Sequence, residues 1–97
     1  MLKLKVIMGS QQGETFQIGP GSTKIGRSQS ADIQISSNRV SKVHCEISSM
    51  GSQVSIKDLN SRNGTYVNGR QVRSQRLQVG DKIILNDTVL QLSLIHI

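Results

Sequence analysis

Residues 21–28 read GSTKIGRS, one letter from the phosphate-cradling P-loop pattern G-x-x-x-x-G-K-[ST]. Gly21, Gly26 and Ser28 keep the spacing, and Arg27 stands where the lysine belongs. Two further stretches carry side chains suited to an anion: SKVH at 41–44 and NSRNGTYVNG at 60–69. Arginine offers an oxyanion a charged fork, serine a hydroxyl donor and lysine a point charge, while asparagine both donates and accepts. Taken singly, each has an ordinary explanation. Gly26 and Arg27 suit a strand end with a surface arginine, Ser41 a turn, and His44 a packed or hydrogen-bonded ring. The two Asn-Gly pairs are strong hairpin signals in their own right.

The same residue types offer little for catalysis. Cys45 lies beside His44, but neighbours on a strand point to opposite faces, so they cannot act as nucleophile and base. A cysteine phosphatase loop would need an arginine six residues after the cysteine, and position 51 is glycine. The six acidic residues show no tight pairing for acid–base work. One cysteine also rules out an internal disulfide and supplies no metal-ligand cluster. The expectation is no enzyme, no cofactor and no metal.

The elements that position these residues follow from a period of two. Leu2, Leu4, Val6 and Met8 alternate with Lys3 and Lys5, and Val43, Cys45 and Ile47 with His44 and Glu46. Val54 and Ile56 alternate with Gln53, Ser55 and Lys57, and Leu90, Leu92 and Leu94 with Gln91 and Ser93. Such alternation puts one side of each segment in a core and the other in water, as in antiparallel strands. Turn signals recur between the runs: Gly9-Ser10, Gly19-Pro20-Gly21, Gly51-Ser52, Asn63-Gly64, Asn68-Gly69, Gly80-Asp81 and Asn86-Asp87. No segment of helical length shows a 3.6-residue period. The pattern predicts an all-β fold, an antiparallel sandwich or barrel, with Asn68-Gly69 turning a hairpin between 65–67 and 71–72. A nucleotide P-loop needs a helix straight after its glycines, and QSADIQISS follows instead, a polar turn and a short strand at Ile33 and Ile35. The nucleotide reading fails.

Ninety-seven residues make one domain, 1–97. No apolar run reaches bilayer length and no secretion signal is visible, so a soluble, cytoplasmic protein without a membrane partner is expected. On that ground the glycosylation-like triplets at Asn63 and Asn86 read as chance. A net charge of +6 points to anionic partners such as nucleic acid, acidic lipid or phosphorylated protein. Arg70, Arg73 and Arg76 form a basic stripe, which keeps a nucleic-acid-binding β domain as the alternative. Against it, one Phe and one Tyr supply little stacking platform, and no groove-reading helix is predicted.

The ordered set of Gly26-Arg27, then S-x-x-H at 41–44, then N-G-T-x-V-N-G at 63–69 resembles the forkhead-associated (FHA) family of phosphothreonine-peptide binding modules. ADIQI at 31–35, VSIKDL at 54–59 and LQVGDKIIL at 77–85 fit the same pattern, and the resemblance covers about 23–92. It implies a sandwich of two twisted sheets that holds a phosphothreonine-containing partner across loops at one end and catalyses nothing. It further implies an upstream Ser/Thr kinase, a monomeric module often attached to other domains, and a role in phosphorylation-dependent signalling. Carried onto this sequence, Arg27, Ser41 and Lys42 face the phosphate and Asn63 the peptide backbone. Arg62 stands where the family usually has a small polar residue near the phosphate. Arg39, two residues before Ser41, is a candidate for flanking specificity. Gly26, His44, Gly64, Asn68 and Gly69 are structural, with His44 bracing the Ser41 loop. A degenerate module that keeps the sandwich would have lost Arg27, Ser41 or Asn63, and all three are present.

Overall fold

Leu4 and Val6 are fully buried while Lys5 between them is exposed, and Val54 and Ile56 are buried on either side of exposed Ser55. That alternation builds the chain into strands. The computed structural model describes residues 2–94, and among them are eleven strands and no helix. They are β1 (Leu2–Met8), β2 (Thr15–Ile18), β3 (Gly21–Gly26), β4 (Ile33–Gln34), β5 (Cys45–Met50) and β6 (Gln53–Asp58). β7 (Thr65–Val67), β8 (Arg70–Val72), β9 (Ser74–Leu77), β10 (Lys82–Leu85) and β11 (Thr88–Leu94) follow. A six-stranded sheet runs β2-β1-β11-β10-β7-β8, and a five-stranded sheet runs β4-β3-β5-β6-β9. Leu4, Val6, Ile83, Leu85, Leu90 and Leu92 from the first meet Ile25, Cys45, Ile47 and Ile56 from the second in one core. The expected all-β sandwich is the observed fold.

Two details differ from the expected pattern. The sandwich is not wholly antiparallel: β3 and β4 pair in parallel, Ile25 with Ile33 and Gly26 with Gln34. The ladder is only two residues long; Ile33 in it and Ile35 just past it are both buried, and Ile35 N–H donates to Gly26 O at 2.8 Å. His44 shares its side of the alternation with Glu46 yet is fully buried. The segment after β6 crosses over it, and Leu59 N–H donates to His44 O at 3.0 Å.

Asn68 and Gly69 turn the chain between β7 and β8 with φ of 53° and 88°. Two consecutive left-handed residues fit the tight hairpin turn whose twist matches its strands. β8 begins at Arg70, one residue earlier than expected. What matters for function is the end of the five-stranded sheet. Ile25, Cys45 and Asp58 lie in register there, so the segments after Gly26, before Cys45 and after Asp58 all emerge at one pole.

Candidate functional site

The first of these segments begins at Gly26. A Cβ built there would lie 2.1 Å from Lys42 O and 2.9 Å from Val43 Cα, so only glycine lets the 41–44 backbone close in. That approach allows two backbone bonds, Arg27 N–H to Ser41 O and Ser28 N–H to Lys42 O, each 3.0 Å. Arg27 then donates Nε–H to Val40 O at 3.1 Å. Its two terminal nitrogens carry the remaining four of a guanidinium's five N–H groups. The fork is thus held by its neck.

Ser41 is fixed at both its backbone and its side chain. Its N–H donates to His44 Nδ1 at 3.1 Å, and its Oγ accepts Arg62 N–H at 2.9 Å. With a lone pair of Oγ engaged, the hydroxyl proton is left to donate. Because Nδ1 accepts, the imidazole proton sits on Nε2, which donates to Gly64 O at 2.8 Å. The partners therefore select one neutral tautomer of His44.

The 59–64 segment is shaped by Asp58 at the end of β6. Thr65 Oγ1 donates to Asp58 Oδ1 at 2.7 Å, Ser61 Oγ donates to the same oxygen, and Ser61 N–H donates to Oδ2 at 3.2 Å. Partial burial would raise the Asp58 pKa, but the hydrogen bonds from Ser61 and Thr65 outweigh it and hold the carboxyl below its ordinary value. Asn60 and Gly64 take left-handed φ of 56° and 84° within the turn. Asn63 reaches across to the other loop, donating Nδ2–H to Arg39 O at 2.6 Å.

Arg27, Asn38, Arg39, Val40, Ser41, Lys42 and Arg62 line one depression of about 160 Å³. Four of the seven are cationic and none is acidic. Asn63 is tied to this cluster through the Arg39 carbonyl, and Gly26 and His44 support it from beneath. Asn68 and Gly69 sit elsewhere, at the far end of β7. There the Asn68 amide donates to Asp81 at 3.0 Å and accepts from Lys82 N–H at 3.0 Å, locking the hairpin to β10.

The structure adds members that residue types alone had not singled out. The Val40 carbonyl that holds Arg27 belongs to backbone and leaves no mark in the sequence. Asp58 does leave one, since Asp three residues before Ser is the spacing of a side chain that captures a following backbone N–H. The Cys45 thiol is buried beneath the site, and burial, aided by the charge of Asp58, pushes its pKa far up. Both ring nitrogens of His44 are engaged elsewhere, so no nucleophile–base pair forms.

The FHA-domain family model matches residues 23–86. The chain belongs to the FHA-domain family. The matched span begins in β3 and ends in the turn before β11, so it takes in all three segments that build the cationic depression of this FHA domain. The chain is similar to the FHA domain-containing protein FhaA of Mycobacterium tuberculosis, 42% identical over 73 residues, covering 75% of this chain and 14% of FhaA. It is also similar to the oxoglutarate dehydrogenase inhibitor of Corynebacterium jeikeium, 36% identical over 80 residues, covering 82% of this chain and 56% of that protein. These relatives are thus longer than the FHA domain described here. A solved structure from work on phosphothreonine-dependent FHA domain interactions superposes with a TM-score of 0.90 at 35% identity, covering 99% of this chain and 98% of that one.

Proposed function

We propose that this FHA domain is a phosphothreonine-binding module that joins partner proteins after a Ser/Thr kinase has marked them. The observation that carries the reading is the depression at the loop pole, lined by Arg27, Arg39, Ser41, Lys42 and Arg62 without one carboxylate. That array suits a tetrahedral dianion, which offers several acceptor oxygens at once. About 160 Å³ is also well below the roughly 300–1,000 Å³ of sites for whole cofactors or drug-sized ligands. One phosphoryl group at the end of a side chain fits the scale, whereas a nucleotide does not.

In this reading Arg27 grips the phosphate with its terminal nitrogens, Ser41 donates its hydroxyl, and Lys42 and Arg62 add charge. Asn63 presents its remaining amide groups to the peptide backbone. The domain works as a single monomeric unit in the cytoplasm, catalyses nothing and needs no cofactor. The similarity to a solved FHA domain studied for phosphothreonine-dependent interactions supports the choice of mark.

The test is titration calorimetry with one peptide drawn from an oriented phosphothreonine library, in phosphorylated, unphosphorylated and glutamate-substituted forms. Only the phosphorylated form should bind well, since a carboxylate has fewer oxygens, less charge and no threonine methyl. Affinity should fall as pH drops through about 6, where the phosphate loses its second charge. Equal binding of the glutamate peptide would refute the reading, as would measurable binding of ATP in place of the peptide.

A further inference from the structure

Against the 60–64 turn, sharing no lining residue with the cationic depression, lies a hollow of about 760 Å³ lined by Lys57, Asn60, Gln71 and Arg73 among others. It runs on into a second hollow of about 550 Å³ along the outer face of β6 and β9, where Lys57 and Ser74 line both and Arg76 lines the far part. The register explains the trough. Lys57 lies opposite Ser74 and Ser55 opposite Arg76, so long cationic side chains stand over short serines. The run Arg70, Arg73, Arg76 does not form one stripe. Arg70 opens β8 in the six-stranded sheet, while Arg73 and Arg76 turn the corner onto the five-stranded one beside Lys57.

The trough carries a positive balance. Asp58 is its one acidic lining residue, and it is already engaged by Ser61 and Thr65. Glu46 on the same outer face stands opposite both Lys24 and Lys57 and lines neither hollow. Lys57, Arg73 and Arg76 are all exposed. Arg73 lies at the bend between β8 and β9, just before the strand that carries Arg76.

We infer that this trough receives an acidic extended segment of the same partner that presents the phosphothreonine, an inference that rests on the proposed function. Continuity with the phosphate-loop pole through the shared 60–64 turn points to one ligand spanning both. Charge complementarity makes its extension rich in Asp, Glu or further phosphoresidues. A nucleic acid would ask for stacking surfaces, and neither Phe16 nor Tyr66 lines the trough.

The test begins with the tightest peptide that an oriented phosphothreonine library selects. It is compared with versions extended by a two-glycine spacer and four alternating Asp and Glu residues on its N-terminal or its C-terminal side. Versions extended with Ser and Gln control for length. One acidic extension should tighten binding about tenfold, the sum of three exposed ion pairs, and the gain should shrink as salt rises. Replacing Lys57, Arg73 and Arg76 together by alanine should erase the gain while the unextended peptide binds as before and the melting temperature holds. If the unextended peptide itself fails to bind the unmodified protein, the phosphothreonine reading falls, and the trough assignment with it. If it binds but neither acidic extension gains, or the gain survives in the triple variant, only the trough assignment is overturned. Displacement of the extended peptide by random-sequence RNA, with loss of that competition in the triple variant, would overturn it in favour of nucleic acid.

Discussion

Replacing Arg27 by alanine separates the two things this side chain does. Its Nε–H donates to Val40 O at 3.1 Å and so helps hold the 35–44 segment, while in the proposed mode the terminal nitrogens take the phosphate. A partly buried hydrogen bond of this kind contributes about 1 kcal/mol to folding. For a domain of this size, that corresponds to a melting temperature lower by roughly 4–8 °C. The binding loss should be much larger. A bidentate, charge-assisted contact carries about 3 kcal/mol or more, so a phosphothreonine peptide should bind at least roughly a hundredfold more weakly. Arg27→Lys should restore only part of this, because an ammonium keeps the charge without the fork or the neck bond to Val40. Calorimetric titration with phosphorylated and unphosphorylated forms of one peptide, beside a melting curve for each variant, reads both effects. Undiminished affinity in Arg27→Ala would remove the centre of the proposed site. A melting loss as large as the binding loss would mean that Arg27 is a structural residue.

Three further outcomes are expected. The folded Asp58 carboxyl is held below its ordinary value of about 4, so the stability it contributes is full above that value and is lost as pH falls through it toward the folded value. Asp58→Asn should therefore melt lower than the parent at neutral pH, and the gap should close in acid, as followed by circular dichroism. Ser41→Ala and His44→Ala should each weaken phosphopeptide binding, but the double variant should lose less than the sum, because His44 Nδ1 holds the Ser41 backbone that presents the hydroxyl, so removing the hydroxyl costs less once that brace is gone. Arg39, exposed on the wall of the depression, should favour an acidic or polar residue a few positions C-terminal to the phosphothreonine. An oriented library read with the parent and with Arg39→Ala tests this, and an unchanged preference would refute it.

Much of this architecture is legible in the sequence because its causes are local. Alternating Leu, Val and Ile set which face of β1, β6 and β11 enters the core, and Asn68-Gly69 specifies a tight hairpin through two left-handed residues. What escaped has causes that cross the chain. The parallel pairing of β4 depends on where Ile33 and Ile35 find space in the core, which no window around them contains. His44 is buried by a segment arriving fifteen to twenty residues later, so its own alternation points it outward. Arg27, Ser41 and Asn63 stand out by residue type and order, yet the Val40 and Arg39 carbonyls that hold two of them are backbone atoms without any sequence signature. The split of Arg70 from Arg73 and Arg76 belongs with these, since the chain changes sheets between β8 and β9.

The anchoring bonds close into a ring. Arg62 N–H meets Ser41 Oγ, Gly64 O meets His44 Nε2, and His44 Nδ1 returns to Ser41 N–H. Two segments about twenty residues apart are thereby fixed to each other before any ligand arrives, and Asn63 Nδ2 adds a second link through Arg39 O. Ordering loose loops on binding costs about 0.5–1.5 kcal/mol for each side chain immobilised, and a site built this way has met much of that cost on folding. The same ring explains why a cation-rich depression is stable in the free protein. Four like charges repel, and an unbraced loop would relax by swinging them apart. Here the backbone that carries Arg39, Lys42 and Arg62 is held by bonds to groups that do not depend on the ligand. The repulsion is therefore kept in place, and in the proposed mode a phosphate dianion would relieve it, adding to the attraction that any single arginine supplies.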